Sequence, residues 1–180
     1  QLNDSFAKMD TLGLLDDTLV VFWTDHGEAF WERGFQTHAY TMHSEENNAA
    51  AFFWAKNLKP LNWSEQTTSI DVMPTILNAV GRYVPSDVTG EILGVADPDR
   101  IRHGFTMARL GAISTGERNR LKIIFHWTGE IAAYDRSVDP DELVDIYDPS
   151  DPGQAEIWEA MKVQIELAST MAPELPITWP

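Results

Sequence analysis

Two side chains of metal-binding types follow one apolar run of the sequence. Asp25 and His26 come directly after "TLVVFW" (residues 18–23), and a further histidine, His38, lies twelve residues beyond His26. A carboxylate supplies a hard oxygen ligand and an imidazole a borderline nitrogen, a pair compatible with Ca²⁺, Mn²⁺ or Zn²⁺. Gly27 permits a turn there, so both side chains can reach one ion. The stretch therefore indicates part of a metal site, completed by ligands from elsewhere.

The same residues also have ordinary structural interpretations. An Asp-His dipeptide is most often a turn or capping pair. Glu28 is either an acid at the start of a helix or a partner that holds His26 through its other ring nitrogen. His38 and His43 are five residues apart, so they do not share one helical face. Residue types alone leave the metal and structural interpretations open.

The composition limits which partners the chain can have. The 180 residues include 28 acids and 13 bases, giving a net charge of −15, which disfavours nucleic acid and anionic lipid as partners. An anionic substrate would need a local positive centre. The absence of cysteine excludes a disulfide framework and zinc-thiolate sites. No apolar run approaches the roughly 20 residues that cross a bilayer, so we expect no membrane segment in these residues.

The first part of the chain has the pattern of an α/β layer. Its predicted elements are a helix over 2–12 closed by Gly13, buried strands at 18–23 and 49–55, and a helix with Asp71 as N-cap, Pro74 in its first turn and Gly81 at its end. The two apolar runs lack alternation, which predicts strands of the parallel type covered on both faces. Together these elements predict the edge of an α/β sheet.

The second part has the pattern of a small antiparallel sheet followed by a helix. Residues 82–103 form a connector that marks the expected boundary between domains 1–103 and 104–180. Four short runs, "FTMARL", "LKIIFHWT", "EIAAYD" and "LVDIYD", are separated by turn residues and predict four strands. Asp151-Pro152 opens a helix to about residue 171, with Ile157, Met161, Ile165 and Ala168 on one face.

Three ordered blocks of the sequence resemble the sulfatase family of the alkaline phosphatase superfamily. The first, "LLDDTLVVFWTDHGEAFWERGFQTH", is similar to the family's strand and "S-D-H-G-E-x-F-G-E-H-G" segment, which a glycine-flanked histidine follows. The second, "SIDVMPTILNAVG", resembles "D-I-x-P-T-L-L-x-L-x-G". The third, "DELVDIYDPSDPGQ", resembles the late "E-L-Y-D-L-x-x-D-P-x-E". The resemblance implies the C-terminal portion of an alkaline-phosphatase-like α/β sandwich with a small sheet-and-helix subdomain.

Residue by residue, the resemblance implies that Asp25 and His26 are metal ligands, with Ca²⁺ the expected ion and Mn²⁺ or Zn²⁺ expected in a phosphoryl-transfer relative. His38 would be catalytic, donating a proton to the leaving oxygen or binding a sulfate or phosphate oxygen. His43 is a further substrate-binding candidate, although the matching family position is usually aromatic. Lys122 resembles a lysine that begins a strand of the subdomain, and we interpret it as structural.

The chain also departs from the family pattern. Trp31 replaces a usual glycine, Arg33 a usual histidine, and Thr37 and Ala39 the glycines that flank His38. No nucleophile can be assigned in this chain, because the family's nucleophile and remaining acidic ligands belong to an N-terminal half that these residues do not match. We therefore expect that half as the chain's main partner, and an inactive segment without it.

The function that the resemblance implies is metal-dependent hydrolysis of sulfate esters, small or glycan, in the periplasm, outside the cell or in a lysosome. One alternative in the same superfamily is a phosphoethanolamine or phosphoglycerol transferase, or a phosphodiesterase. An alternative from another class is that the 180 residues act as a noncatalytic fragment or binding module.

Overall fold

The computed structural model describes residues 2–59, 66–108, 111–171 and 173–180. Its regular elements, in chain order, are α1 (Leu2–Thr11), β1 (Val20–Trp23), β2 (Ala29–Phe30), β3 (Gln36–Thr37), α2 (Ser44–Asn47), β4 (Ala51–Trp54), α3 (Val72–Ala79), β5 (Arg102–Ala108), β6 (Gly111–Arg118), β7 (Leu121–His126), β8 (Ile131–Asp135) and α4 (Pro152–Ser169). No helix within the described ranges is long and apolar enough to cross a membrane.

The predicted helix at the start of the chain is present and ends where its glycine signal lies. Gly13 has φ +68°, and the Leu14 N–H donates to the Met9 carbonyl at 2.9 Å, which closes the last turn of α1. A left-handed residue there satisfies carbonyls that a helix end leaves unpaired. The helix then leads through a short turn into β1, as expected.

The two strands of the first part pair with each other, and the predicted parallel type is wrong. β1 and β4 form an antiparallel ladder in which Val20 lies opposite Trp54 and Trp23 opposite Ala51. The prediction of burial on both faces is also wrong, since Phe22 is 38% exposed and Trp23 49% exposed. An apolar run predicts a strand, but the pairing direction depends on a segment nearly thirty residues away.

Asp71 occupies the N-cap position of α3, as predicted, but its side chain makes no capping hydrogen bond to that helix. Thr68 is the N-cap of the preceding 3₁₀ turn, and the Asp71 carboxylate reaches back to the Thr68 N–H at 2.9 Å. Asp71 is therefore also the third residue of the capping box of that turn. Its carboxylate also accepts two hydrogen bonds from the Arg100 Nη2, at 2.8 and 2.7 Å, so the connector after α3 is tied to the start of that helix.

The second part contains a four-stranded antiparallel sheet in the order β5-β6-β7-β8. Three of its strands correspond to predicted runs, but β6 was not predicted, because "GAISTGER" consists largely of small and polar residues. The predicted strand "LVDIYD" is irregular, and Leu143 and Val144 in it are 75% and 61% exposed. The division of the chain into two domains near residue 103 stays a prediction.

Helix α4 and the segment that contains Met42 and α2 pack on opposite faces of this sheet. Ile157, Met161 and Ile165, predicted to share one helix face, are buried in one apolar cluster with Ile123 and Phe125 of β7. On the other face Ile124 packs in a second cluster with Met42, which lies just before α2. Alternate residues of a strand face opposite sides, so the side chains of Lys122 and Ile124 both point toward the segment that contains α2.

Candidate active site

The loop that carries Asp25 and His26 lies directly against α2. The Gly27 N–H donates to the Glu46 carbonyl at 2.8 Å. A Cβ added to Gly27 would stand only 2.2 Å from the Glu45 carbonyl oxygen, so no residue other than glycine fits this approach. The sequence predicted that Gly27 allows a turn. The structure adds that Gly27 lets the loop backbone lie directly against the backbone of α2.

Asp25 and His26 turn their side chains toward each other at the end of β1. His26 Nδ1 lies 2.6 Å from the Gly27 carbonyl, which only a protonated Nδ1 can satisfy, so in the neutral ring Nε2 keeps its lone pair. That Nε2 is 3.7 Å from Asp25 Oδ2. Metal bonds of about 2.0–2.4 Å to each donor span that separation, so the two residues fit one divalent ion.

His38 joins this pair from the segment after β3. The His26 and His38 rings have centroids 4.2 Å apart and are tilted by 40°. Glu28 Oε2 lies 3.3 Å from His38 Nδ1, so Glu28 contacts His38 instead of holding His26 or starting a helix. Both interpretations of Glu28 from the sequence were therefore wrong. A carboxylate at Nδ1 fixes the ring orientation and leaves Nε2 directed elsewhere.

The backbone around His38 is left-handed at residues that are not glycine. Trp31, Thr37 and Ala39 have φ values of +79°, +75° and +70°. These are the three positions at which the family pattern has glycine, the residue that adopts positive φ without steric cost. A non-glycine residue in this region costs about 1–2 kcal/mol, so this chain holds the family's loop shape under backbone strain.

His43, the further substrate-binding candidate, has its partner in the second part of the chain. Its Nδ1 lies 2.9 Å from Glu142 Oε2, and its side chain is only 13% exposed. Glu142 also accepts hydrogen bonds from the Ser44 Oγ at 2.6 Å and from the Lys122 Nζ at 2.9 Å. This arrangement gives His43 a structural partner, while a contact of His43 with substrate stays a prediction.

Glu142 is the centre of this cluster and is ionised. Its side chain is fully buried, and so is that of Lys122. Burial alone would raise the pKa of Glu142, but the hydrogen bond from His43 and the charge of Lys122 outweigh it and lower the pKa to about 2. Because the carboxylate cannot donate, His43 Nδ1 must carry the proton that joins them. Lys122 is structural, as interpreted from the sequence.

A second link between the two parts of the chain runs through Arg33. Its Nη1 donates to Glu45 Oε1 at 2.5 Å, and its Nη2 donates to the carbonyls of Asp141 and Glu142 at 2.6 and 2.9 Å. Arg33 stands where the family pattern has histidine. The guanidinium presents several donors in a fixed fork, which suits one carboxylate and two carbonyls together.

The described residues contain no complete metal-binding cluster. Across residues 2–59, 66–108, 111–171 and 173–180, no group of three or more His, Asp or Glu side chains is arranged to hold a metal ion. Metal binding by Asp25 and His26 therefore stays a prediction. Their side chains are 80% and 40% exposed.

The fold is of the alkaline-phosphatase-like type, as in solved structures that match it. The structure of BT4656 in complex with its substrate, D-glucosamine-2-N,6-O-disulfate, matches 96% of this chain and 38% of its own, with a TM-score of 0.66 and 18% identity. The phosphonate monoester hydrolase SpPMH from Silicibacter pomeroyi matches 94% of this chain and 38% of its own, with a TM-score of 0.66 and 22% identity.

Part of the sequence matches a family model. Residues 1–82, which contain the first two motif blocks, match the model described as Sulfatase, so the resemblance to that family is confirmed for these residues. The chain is also 35% identical over 100 residues to the low-salt glycan biosynthesis sulfotransferase Agl7 of Haloferax volcanii, which covers 53% of this chain. The chain spans about a quarter of that relative's length, 24%.

Sequence reasoning did not identify Glu142 as the partner of His43 or Arg33 as a link to the second part of the chain, and it did not assign Glu28 to His38. The block "DELVDIYDPSDPGQ" was recognised as a motif, but its contact with His43 joins residues that are 99 positions apart. The departure at Arg33 was a usable signal, since an arginine in place of a histidine brings additional donors. Nothing local in the sequence shows which acceptors those donors reach.

Proposed function

We propose that this chain is part of a metal-dependent hydrolase of sulfate esters, in which Asp25 and His26 bind the metal and His38 acts on the ester. The observation that carries the proposal is the convergence of these three side chains beside the end of β1, with donor atoms of Asp25 and His26 3.7 Å apart. The fold brings His38, which follows β3, next to Asp25 and His26 at the end of β1. All three side chains are partly exposed to solvent, so further ligands can reach them.

Each residue has a defined task in the proposed mechanism. A divalent cation held by Asp25 and His26 would neutralise charge on the ester oxygens and lower the pKa of an attacking hydroxyl group. His38 would donate a proton from Nε2 to the leaving oxygen, a step that contributes about 10²- to 10⁴-fold. Glu28 would keep the His38 ring oriented by accepting from Nδ1, 3.3 Å away.

The nucleophile and the remaining acidic ligands are proposed to come from the partner half of the same protein. This follows from the coverage of 38% of the structural relatives and from a ligand set of two. We therefore predict no turnover by these 180 residues alone. Turnover of an activated aryl sulfate by the purified chain, lost on chelation, would contradict this division of labour. The proposed location is periplasmic, extracellular or lysosomal.

A second candidate function, phosphoester or phosphonate hydrolysis, is supported by one observation, the structural match to the phosphonate monoester hydrolase SpPMH. Calcium is the ion that the sulfatase resemblance implies, whereas an imidazole ligand suits Mn²⁺ or Zn²⁺ better than Ca²⁺. Isothermal titration with the three ions, using Asp25→Ala as the matched control, tests which metal binds. Preference for Ca²⁺ supports the sulfatase proposal, and preference for Mn²⁺ or Zn²⁺ supports the phosphoryl alternative.

The role of His38 can be tested in an active protein that contains this chain. Sulfate esters with poor leaving groups depend on a proton donor, and activated aryl esters do not. We expect His38→Ala to reduce kcat/KM by about 10²- to 10⁴-fold for an alkyl sulfate and far less for 4-nitrophenyl sulfate. Equal losses for both esters would reject a proton-donating role. Assays with a matched aryl phosphate diester separate sulfatase activity from its phosphoryl alternative.

A further inference from the structure

A polar cleft of about 510 Å³ lies between the loop of Asp25 and the four-stranded sheet. Its lining includes Trp23 and Asp25 from the end of β1 and its loop, and Arg102, His103 and Phe105 of β5. Sites for small molecules have volumes of about 300–1,000 Å³, so the cleft has the size of a binding site. It extends from the proposed metal ligand to side chains to which no role has been given so far.

Buried polar atoms without hydrogen-bond partners are concentrated along this cleft. Within the described residues such atoms include Arg102 Nε, His103 Nδ1, Thr115 Oγ1 and Gln66 Oε1, and all four belong to residues that line it. Each unsatisfied buried polar group costs about 1–3 kcal/mol, and native proteins leave few of them. Their clustering on one cavity indicates a ligand that supplies the missing hydrogen bonds.

The cleft also contains Arg102, a buried arginine whose charge interacts with Asp71, Glu91 and Glu117 without a direct ion pair. Arg102 is 6% exposed, and its Nη1 and Nη2 donate to the carbonyls of Arg100 and Asp97. It forms no ion pair with a carboxylate in the described parts of the chain. By contrast, Arg136 on the same wall donates to both oxygens of Glu117. A buried unpaired cation is costly, and an anion bound in the cleft would offset that cost.

A second cation and two aromatic rings complete the lining. Arg120 stands exposed at the rim, and Trp23 and Phe105 are 49% and 41% exposed. Exposed aromatic faces in a polar cleft pack against the apolar face of a ring while amides and hydroxyls bind its polar groups. Asn47 and Asn48 provide such amides. Cations, amides and aromatic faces together suit an anionic sugar better than an inorganic anion.

We propose that this cleft binds an anionic sugar residue of the substrate, with Arg102 and Arg120 facing its sulfate or carboxylate group. The inference rests on the proposed function for its link to catalysis, because the cleft begins at Asp25. It also resolves how a chain of net charge −15 can accept a polyanion. Arg102 and Arg120, neither of which forms a direct ion pair within the described residues, provide local positive charge in the cleft.

The test measures binding apart from catalysis. Glucuronate is the probe, because it is an anionic sugar with no sulfate ester to cleave, and NMR chemical shifts are recorded in metal-free buffer. Glucose supplies the ring without the charge, and acetate supplies the charge without the ring. We expect saturable shifts of the His103 and Gly104 amides with glucuronate alone. Arg120→Gln should weaken binding about tenfold, whereas Arg82→Gln, an exposed arginine outside the cleft, should not.

Two results would overturn the inference. Equal shifts with acetate, glucose and glucuronate would show a nonspecific surface, and unchanged affinity in Arg120→Gln would remove the cation from the site. In an active protein containing this chain, Arg120→Gln should raise KM for a sulfated sugar about tenfold, whereas the control Arg82→Gln should leave that KM unchanged. If glucuronate binds but a complete protein containing this chain has no sulfatase activity, only the proposed function is rejected. If that protein is an active sulfatase but glucuronate does not bind, only the sugar-binding role of the cleft is rejected.

Discussion

The loop with Asp25 and the cluster around Glu142 are built from the same kinds of residue with opposite outcomes. In the loop, the Asp25 carboxylate is 80% exposed and lies 3.7 Å from the His26 Nε2. In the cluster, the Glu142 carboxylate is fully buried and accepts hydrogen bonds from His43, Ser44 and Lys122. One carboxylate is exposed to solvent, and the other is buried among partners within the chain.

The difference teaches that charge alone does not identify a functional residue. A buried carboxylate must have its hydrogen bonds and its counter-charge supplied by the fold, or it would not be buried. An exposed carboxylate beside a histidine has donor capacity left for an ion. The cluster also supports the loop, because Glu142 holds Ser44 at the start of α2, and the Glu46 carbonyl of α2 accepts from Gly27.

The largest expected effect comes from breaking the buried pair of the cluster. Glu142→Gln should lower the free energy of unfolding by about 3–5 kcal/mol, because Lys122 would stay buried without its counter-charge. Urea denaturation measures this change. Glu130→Gln, at an exposed carboxylate in the connection between β7 and β8, is the control and should change stability by less than about 0.5 kcal/mol. A loss below about 1 kcal/mol for Glu142→Gln would refute the distinction between the two regions.

The same carboxylate should make stability depend on pH in acid. Its pKa is about 2 in the folded protein against an ordinary value of 4.5, so its contribution is complete above about pH 4.5 and is lost as pH falls toward 2. The difference corresponds to about 3 kcal/mol. Other carboxylates titrate in this range, so the measurement compares wild type with Glu142→Gln. Parallel stability curves between pH 5 and about 2 would contradict the lowered pKa.

A smaller effect of opposite sign is expected where the site loop is strained. Thr37→Gly should raise the free energy of unfolding by about 0.5–1 kcal/mol, since relief of the left-handed strain exceeds the added flexibility of the unfolded chain. Thr106→Gly in β5 is the matched control and should lower stability by about 0.5–1 kcal/mol. Differential scanning calorimetry of both variants measures the contrast. A destabilised Thr37→Gly would mean that the side chain stabilises the loop by more than its strain costs.

The smallest stability effect is expected at the proposed metal ligand itself. Without metal, Asp25→Ala should change the free energy of unfolding by no more than about 0.5 kcal/mol, because the side chain is exposed. With metal, the variant should lose the increase in melting temperature that the ion gives to the wild type. Thermal shift with and without the ion checks both statements. A large loss of stability in metal-free buffer would make Asp25 a structural residue.

The ends of the helices could be predicted from the sequence, because their signals are local. Gly13 closes α1, Gly81 follows α3 with φ +68°, and Asp151 caps α4 by accepting from the Gln154 N–H at 2.8 Å. Strand partners could not be predicted in the same way. The run "LVDIYD" (residues 143–148) indicated a strand, yet this segment lies outside the sheet. The preceding residue, Glu142, has φ +54°, and the Ile146 N–H donates to the Ala133 carbonyl of β8.

The candidate site likewise contains residues that the sequence predicted and contacts that it did not. Asp25, His26 and His38 were found from residue types, spacing and a family pattern, and the structure brings them together. The partner of Glu28, the acceptors of Arg33 and the cleft between Asp25 and β5 were not found, because each joins segments distant in the sequence. A cleft exists only where two separately folded surfaces meet, and no short pattern encodes its shape.

The sequence by itself determined the helices, the turn at Gly27 and the candidate ligands, since caps, glycines and metal-binding side chains act within a few residues. Only the tertiary structure decided that β1 and β4 run antiparallel, that Glu142 is buried between Lys122 and His43, and that Arg102 lies unpaired in a cleft. The physical reason is that burial and charge pairing depend on which distant segments meet, and a carboxylate's environment sets whether it stabilises the fold or remains available for binding.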